Sequence, residues 1–224
     1  MAISYFRKGA TGFGFDAFGK PLKFRSAKEA GCALIVNNIP TDGLMFYASL
    51  TDTQSAAETG QELYWDGEAS PDIVNGIPCV SSDGTALYAE TDETNSSTIS
   101  FFGLPAEDAC LDVGVGNDGE TEGAIILNVD SGMAMGVENY IAGMVEATNL
   151  DNTEMAHFAL TCESGSQVLY KNGEVIAVSD HEFEYDTRNG AYIYINGSVC
   201  AVRLYNRALS ENEIKALSKE FVVR

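Results

Sequence analysis

Val168-Leu169-Tyr170-Lys171-Asn172-Gly173-Glu174-Val175-Ile176-Ala177, followed by Val199-Cys200-Ala201-Val202-Arg203-Leu204-Tyr205-Asn206-Arg207-Ala208-Leu209-Ser210-Glu211-Asn212-Glu213-Ile214, decides how this chain folds. In the first segment, apolar runs flank Asn172-Gly173, the pair that best tolerates the two positive φ angles of a type I′ turn. A tight β-hairpin is expected there. The second segment reads as a strand running into a short helix. Ser210 and Glu213 have the S-x-x-E spacing of a capping box, and Leu209 and Ile214 stand where a hydrophobic staple belongs.

Outward from these segments, strand candidates alternate with turns at 44–50, 86–90, 98–104, 124–129, 133–145, 157–162, 192–195 and 199–205. Only 211–219 reads as a helix. Asn-Gly or Asp-Gly pairs at 75–76, 83–84, 118–119, 172–173, 189–190 and 196–197 supply turn chemistry. Many short strands with almost no helix point to a sandwich of two antiparallel sheets. Residues 1–42 are basic, glycine-rich and aromatic, and read as an arm or small β-element. The main domain is expected over 43–224.

At 224 residues, with 45% hydrophobic content, 11 Phe and 10 Tyr, the chain can bury a core and is not a disordered sequence. Its net charge of −20 is unevenly spread. Residues 1–28 hold six Lys/Arg against Asp16 alone, whereas 29–170 hold 24 Asp/Glu and no Lys or Arg. Residues 171–224 are nearly balanced, with seven basic and eight acidic groups. Such an acidic body repels nucleic acid and anionic membrane and suits cations or a basic partner. The basic arm could dock on an acidic surface, with Phe13, Phe15, Phe18 and Phe24 as apolar anchors.

Cys32, Cys79, Cys110, Cys162 and Cys200 include no C-x-x-C pair, which fits neither a zinc site nor a dense disulfide framework. They read as buried thiols of a protein made in a reducing cytoplasm. The amino terminus lacks the apolar core of a signal peptide, and no run reaches the ~20 apolar residues of a membrane span.

Met155-Ala156-His157-Phe158-Ala159-Leu160-Thr161 precedes the quoted hairpin. Together these segments resemble the last strands and terminal helix of the laminin-G / concanavalin A-like lectin and glucanase family. The resemblance covers 155–217 and extends loosely to 43–150 through Gly43-Leu44-Met45-Phe46-Tyr47-Ala48-Ser49-Leu50 and Thr98-Ile99-Ser100-Phe101-Phe102. It implies an all-β, concanavalin A-like jelly-roll sandwich of two antiparallel sheets with a short C-terminal helix. It also implies a non-catalytic carbohydrate-recognition or adhesion module. A domain of this kind behind an amino-terminal arm resembles the virion-associated proteins of bacteriophages and prophages, on capsids or tail fibres. The partners implied are a glycan or another virion or surface protein, with the arm building a homo-oligomer; no nucleic acid and no membrane are expected. Two alternatives stand beside it: a decoration protein with no glycan, and a glycoside hydrolase of the glucanase branch. The family's E-x-D-x-x-E motif is missing, which argues against the hydrolase.

Within Tyr64-Trp65-Asp66-Gly67, the only tryptophan stands beside a carboxylate and before a turn. A sugar-binding platform uses such a pair: a flat face for the C–H side of the ring and an acceptor for its hydroxyls. Tyr64, Trp65 and Asp66 are therefore ligand candidates, against the plainer reading of Trp65 as packing. Asn117-Asp118-Gly119-Glu120-Thr121-Glu122 concentrates hard oxygen donors in a loop. Asn117, Asp118, Glu120 and Glu122 are candidates for Ca2+, which takes six to eight such oxygens; a solvated turn is the plainer reading. His181-Glu182-Phe183-Glu184-Tyr185-Asp186 alternates as a strand with a solvated acidic face. Thr11-Gly12-Phe13-Gly14-Phe15-Asp16-Ala17-Phe18 resembles an RNP1 octamer, but Thr11 stands where a basic residue belongs. His157 reads as structural.

Overall fold

The computed structural model describes residues 12–15, 21–24, 39–90, 98–106, 110–117, 120–128, 133–138, 143–148, 150–151, 153–163, 166–179 and 191–221. The chain divides into two compact units, Gly43–Leu209 and the flanking pair Met1–Asp42 with Ser210–Arg224. In the flanking unit, β1 (Gly12–Phe15) and β2 (Pro21–Phe24) form a two-stranded antiparallel sheet. Its helix α1 (Glu211–Leu217) is two residues shorter than the sequence suggested. The Glu213 carboxylate accepts from both the Ser210 backbone N–H (2.9 Å) and the Ser210 hydroxyl (2.8 Å), which anchors the first turn. Lys215 pairs with Glu211 one turn earlier.

The larger unit holds β3 (Leu44–Ala48), β4 (Tyr64–Asp66), β5 (Ser70–Val74), β6 (Ile77–Ala89), β7 (Thr98–Pro105) and β8 (Cys110–Asn117). It continues with β9 (Glu120–Asn128), β10 (Met133–Glu138), β11 (Gly143–Ala147), β12 (Ala156–Glu163), β13 (Ser166–Lys171), β14 (Glu174–Ser179) and β15 (Ala191–Tyr205). All pair antiparallel in one 13-stranded sheet, whose main path runs β11-β10-β9-β8-β15-β7-β12-β13-β14. This is an all-β sandwich made by folding a continuous sheet rather than by stacking two separate ones.

The fold turns on β15. Along one edge, residues 191–194 pair with β8 and residues 197–205 with β7. Along the other edge lie β6 and then β3. The strand thus feeds both layers, and β11 comes to lie against β13 and β14 while β9 lies against β7 and β12. Between the layers, Leu111, Val113, Ile125 and Leu127 meet Phe101, Phe158, Leu160 and Leu169 in one buried cluster. The Phe101 and Phe158 rings stack with centroids 6.0 Å apart.

The Asn172-Gly173 turn is as its chemistry dictates, with φ of 51° and 83° and Lys171 paired to Glu174. Asn172 also exchanges two hydrogen bonds with the His157 backbone, so the turn is tied to β12 (2.8 and 3.0 Å). Asn75-Gly76 makes the same turn between β5 and β6. Two other such pairs do not turn the chain. Gly84 (φ 96°) is an extra residue within β6, because Thr85 and Asp83 pair with the adjacent Ile195 and Asn196. Gly197 (φ 132°) lies inside β15, where a Cβ would stand 2.2 Å from the Leu104 carbonyl oxygen. The expected separate strands at 192–195 and 199–205 are therefore one. The expected single strand over 133–145 is instead the β10–β11 hairpin, with Glu138 paired to Gly143. Cys79, Cys162 and Cys200 are buried thiols; Cys32 lies outside the described residues.

Candidate functional site

In a three-residue strand, alternation decides everything: neighbours point to opposite faces. Register sets which face is which for β4. Trp65 pairs with Leu87, which is in line with Ile193 and Val113, all of them core residues with no exposed surface. Trp65 accordingly turns inward, packs against the core, and donates its indole N–H to the Gln54 carbonyl oxygen (2.9 Å). Trp65 is half-buried on the core side of β4, which favours the packing reading over the platform. Tyr64 and Asp66, the other two candidates, stand on the opposite, outer face and are exposed.

On that outer face the register assembles a row that the sequence scatters. Tyr64 pairs with Tyr88, Tyr88 with Tyr192, and Tyr192 with Gly114. Three tyrosines therefore stand side by side on β4, β6 and β15, spanning about 10 Å at the usual strand spacing. The Tyr88 and Tyr192 rings are 5.2 Å apart and tilted by 58°. In the next row, Asp66 pairs with Ala86, Ala86 with Tyr194, and Tyr194 with Asp112. Tyr64 is 53% exposed and Tyr194 36% exposed, while Tyr88 and Tyr192 keep part of their surface open.

Carboxylates edge these rings. The Tyr64 hydroxyl donates to Glu62 Oε2 (2.7 Å). That hydrogen bond and the charge of Glu62, with a smaller push from Glu90, hold the phenol above its ordinary pKa. Asp112 is the unusual member. Its Oδ1 has no accessible surface and no hydrogen-bond partner among the described residues. Burial alone pushes the carboxyl up to about 7, so near neutral pH protonated and ionised forms coexist and the group can serve a ligand as donor or as acceptor. The arrangement offers flat apolar rings beside hydroxyl-binding groups on a rigid sheet.

Tyr88, Tyr192, Tyr194 and Asp112 escape a reading of the sequence alone. The signal is present in Ala191-Tyr192-Ile193-Tyr194-Ile195 and in Thr85-Ala86-Leu87-Tyr88-Ala89, where an apolar face alternates with an aromatic one. Which strands adjoin is not written there.

The proposed cation ligands fare differently. Asn117 closes β8 and Glu120 opens β9, and the two pair across the hairpin. Glu122 is the extra residue between the Thr121 and Gly123 pairings. Most of the expected loop is therefore strand, since β8 runs to Asn117 and β9 begins at Glu120. Asp118 and the side chains of Asn117, Glu120 and Glu122 lie outside the described residues. Among the described residues no three His, Cys, Asp or Glu converge to hold a metal. The His181–Asp186 stretch, 181–186, also lies outside them.

His157, on β12, is fully buried. Its Nε2 shares a hydrogen bond with Ser100 Oγ (2.9 Å) and its ring packs on Phe102, with centroids 5.1 Å apart. Burial, aided by the positive charge of Arg203, pushes its pKa down to about 3, so the imidazole is neutral. It packs; it faces no open surface.

No protein-family model matches this chain, and no curated protein matches it. Solved structures do share its fold. The binding domain of botulinum neurotoxin DC, in complex with SialylT, superposes with a TM-score of 0.61 at 11% identity, over 80% of this chain and 51% of that one. Domain 4 of AbnA, a GH43 extracellular arabinanase from Geobacillus stearothermophilus, in complex with arabinotriose, gives 0.58 at 13% identity, over 78% and 98%. Trypanosoma rangeli sialidase, in complex with 2,3-difluorosialic acid, gives 0.59 at 15% identity, over 83% and 34%. This chain spans about half the length of the neurotoxin chains it matches. The likeness is one of β-sandwich fold.

Proposed function

We propose that this chain is a non-catalytic carbohydrate-recognition module whose ligand lies across the outer face of β4, β6 and β15. The row Tyr64, Tyr88 and Tyr192, with Tyr64 exposed and the other two partly so, edged by carboxylates, carries this reading. Stacking of sugar C–H faces on tyrosine rings supplies affinity, and the carboxylates take up ring hydroxyls in fixed directions. Sandwich domains of the same fold described with a ganglioside-type ligand or with arabinotriose support it by analogy only. The concanavalin A-like assignment, the virion placement and calcium at the β8–β9 hairpin belong to this proposal as finer parts. They rest on the resemblance of 155–217 and on the oxygen-rich 117–122 sequence.

A glycan-array screen of the purified chain, with and without calcium, tests the reading. Expected are reproducible hits that Tyr88→Ala weakens at least tenfold and Trp65→Phe leaves unchanged, since Trp65 faces the core. A hit lost on chelation would assign the hairpin a cation. A blank array in both conditions would overturn the glycan reading.

A further inference from the structure

Among the described residues, the stretches of β4, β6, β8 and β15 that build the tyrosine face contain carboxylates and no cation. From residue 43 to residue 156 the chain has no Lys, Arg or His, which covers all of β4, β6 and β8. The part of β15 that contributes Tyr192 and Tyr194 has none either. Its one basic residue, Arg203, is buried in the other half of the strand with its guanidinium 4.1 Å from the Tyr47 ring centroid. On the face itself stand Glu62, Asp66 and Glu90, all exposed, and Asp112 beside Tyr194.

Asp112 stands out among these because its shielded Oδ1 is an unmet acceptor at the border of an aromatic surface. Groups of that kind are normally satisfied by a partner. Gly114, two residues on and opposite Tyr192, adds no side chain beside that ring. Asp112 is only partly buried, so a sugar ring stacked against Tyr192 and Tyr194 would bring its hydroxyls to the open edge of the carboxyl rather than to the shielded Oδ1.

We infer that this face takes a neutral saccharide and discriminates against sialylated, uronic or sulfated ones, with Asp112 receiving the sugar hydroxyls. The inference rests on the glycan reading of the face and adds the class of ligand. Anionic sugars are held by Arg, Lys or convergent N–H donors. On this face a sugar carboxylate or sulfate would add charge among four acidic groups, and partial burial strengthens that repulsion relative to open water.

Matched oligosaccharides titrated calorimetrically against the full chain test this: lactose against 3′-sialyllactose, and galactotriose against trigalacturonate. The native chain, Asp112→Asn, Asp112→Ala and Tyr88→Ala are compared at low and high salt. The neutral members should bind at least tenfold tighter than their anionic partners, and added salt should narrow that gap. Asp112→Ala should weaken neutral binding at least fivefold with cooperative unfolding retained, and Asp112→Asn should narrow the neutral-to-anionic ratio. Equal or tighter binding of the anionic members, lost in Tyr88→Ala, would overturn the inference while leaving the glycan reading standing. Neutral preference unchanged in both Asp112 variants would overturn the role given to Asp112. No binding to either set, with a blank array, would overturn both readings.

Discussion

Residues 191–196 and 197–205 belong to one strand, β15, yet they treat their two faces in opposite ways. In the first part Ala191, Ile193 and Ile195 enter the core while Tyr192 and Tyr194 look outward, the alternation of a half-buried strand. In the second, every residue from Ser198 to Tyr205 is buried, as in a strand covered on both sides. Even Arg203 is enclosed there, stacked on Tyr47 and donating to the Ala201 carbonyl oxygen (3.2 Å). The difference teaches where recognition can live on a sandwich. Only a face that its neighbours leave uncovered can present rings, and the switch from one regime to the other falls at Gly197.

Breaking that switch should have the largest effect. Gly197→Ala places a Cβ 2.2 Å from the Leu104 carbonyl oxygen at a φ of 132°. It should cost at least about 4 kcal/mol in denaturant unfolding. An unchanged midpoint would mean that β7 yields and the two halves are not locked together there. Arg203→Ala attacks the closed half directly and should cost about 3 kcal/mol, leaving Tyr47 and the Ala201 carbonyl without the guanidinium. Saccharide binding by the folded fraction should be unchanged, because Arg203 is not on the open face.

Asp112→Asn sharpens the comparison from the other side, with the opposite sign. The folded carboxyl titrates at about 7, above its ordinary 3.8, because burial disfavours its charge. The native state therefore holds this proton longer than the unfolded chain does, and stability falls as pH rises through that interval. The amide does not ionise, so the variant should match the native chain near pH 4 and exceed it by up to about 4 kcal/mol at pH 8. Thermal melts across that range would show it; a constant difference would mean Asp112 is ionised throughout. Tyr194→Ser should be the mildest for stability, within about 0.5 kcal/mol, while weakening saccharide binding about tenfold. A large loss of stability instead would make the ring part of the packing rather than of the open face.

How far the sequence could be read depends on the range of the interaction. The Asn172-Gly173 hairpin and the Ser210–Glu213 cap were legible because each is settled by a few neighbouring atoms. The all-β class followed from turn spacing and alternation. Asn196-Gly197 carried the same local chemistry as Asn172-Gly173, yet it became an irregularity inside a strand, since β6 and β7 pair past it on either side. Whether Trp65 was platform or packing stayed open for a related reason. Tyr64-Trp65-Asp66 shows that neighbours oppose each other, but it does not say which side the core is on.

By itself, then, the sequence determined an all-β sandwich, its tight turns, its capped terminal helix and a body without cations over more than half its length. These are properties of composition and of contacts a few residues apart. Tertiary structure alone decided that Tyr64, Tyr88 and Tyr192 share a row, that Trp65 faces inward, and that Asp112 is half-buried beside Tyr194. Those facts depend on strand register between segments far apart in the chain, and a shift of one residue would exchange every inward side chain for an outward one.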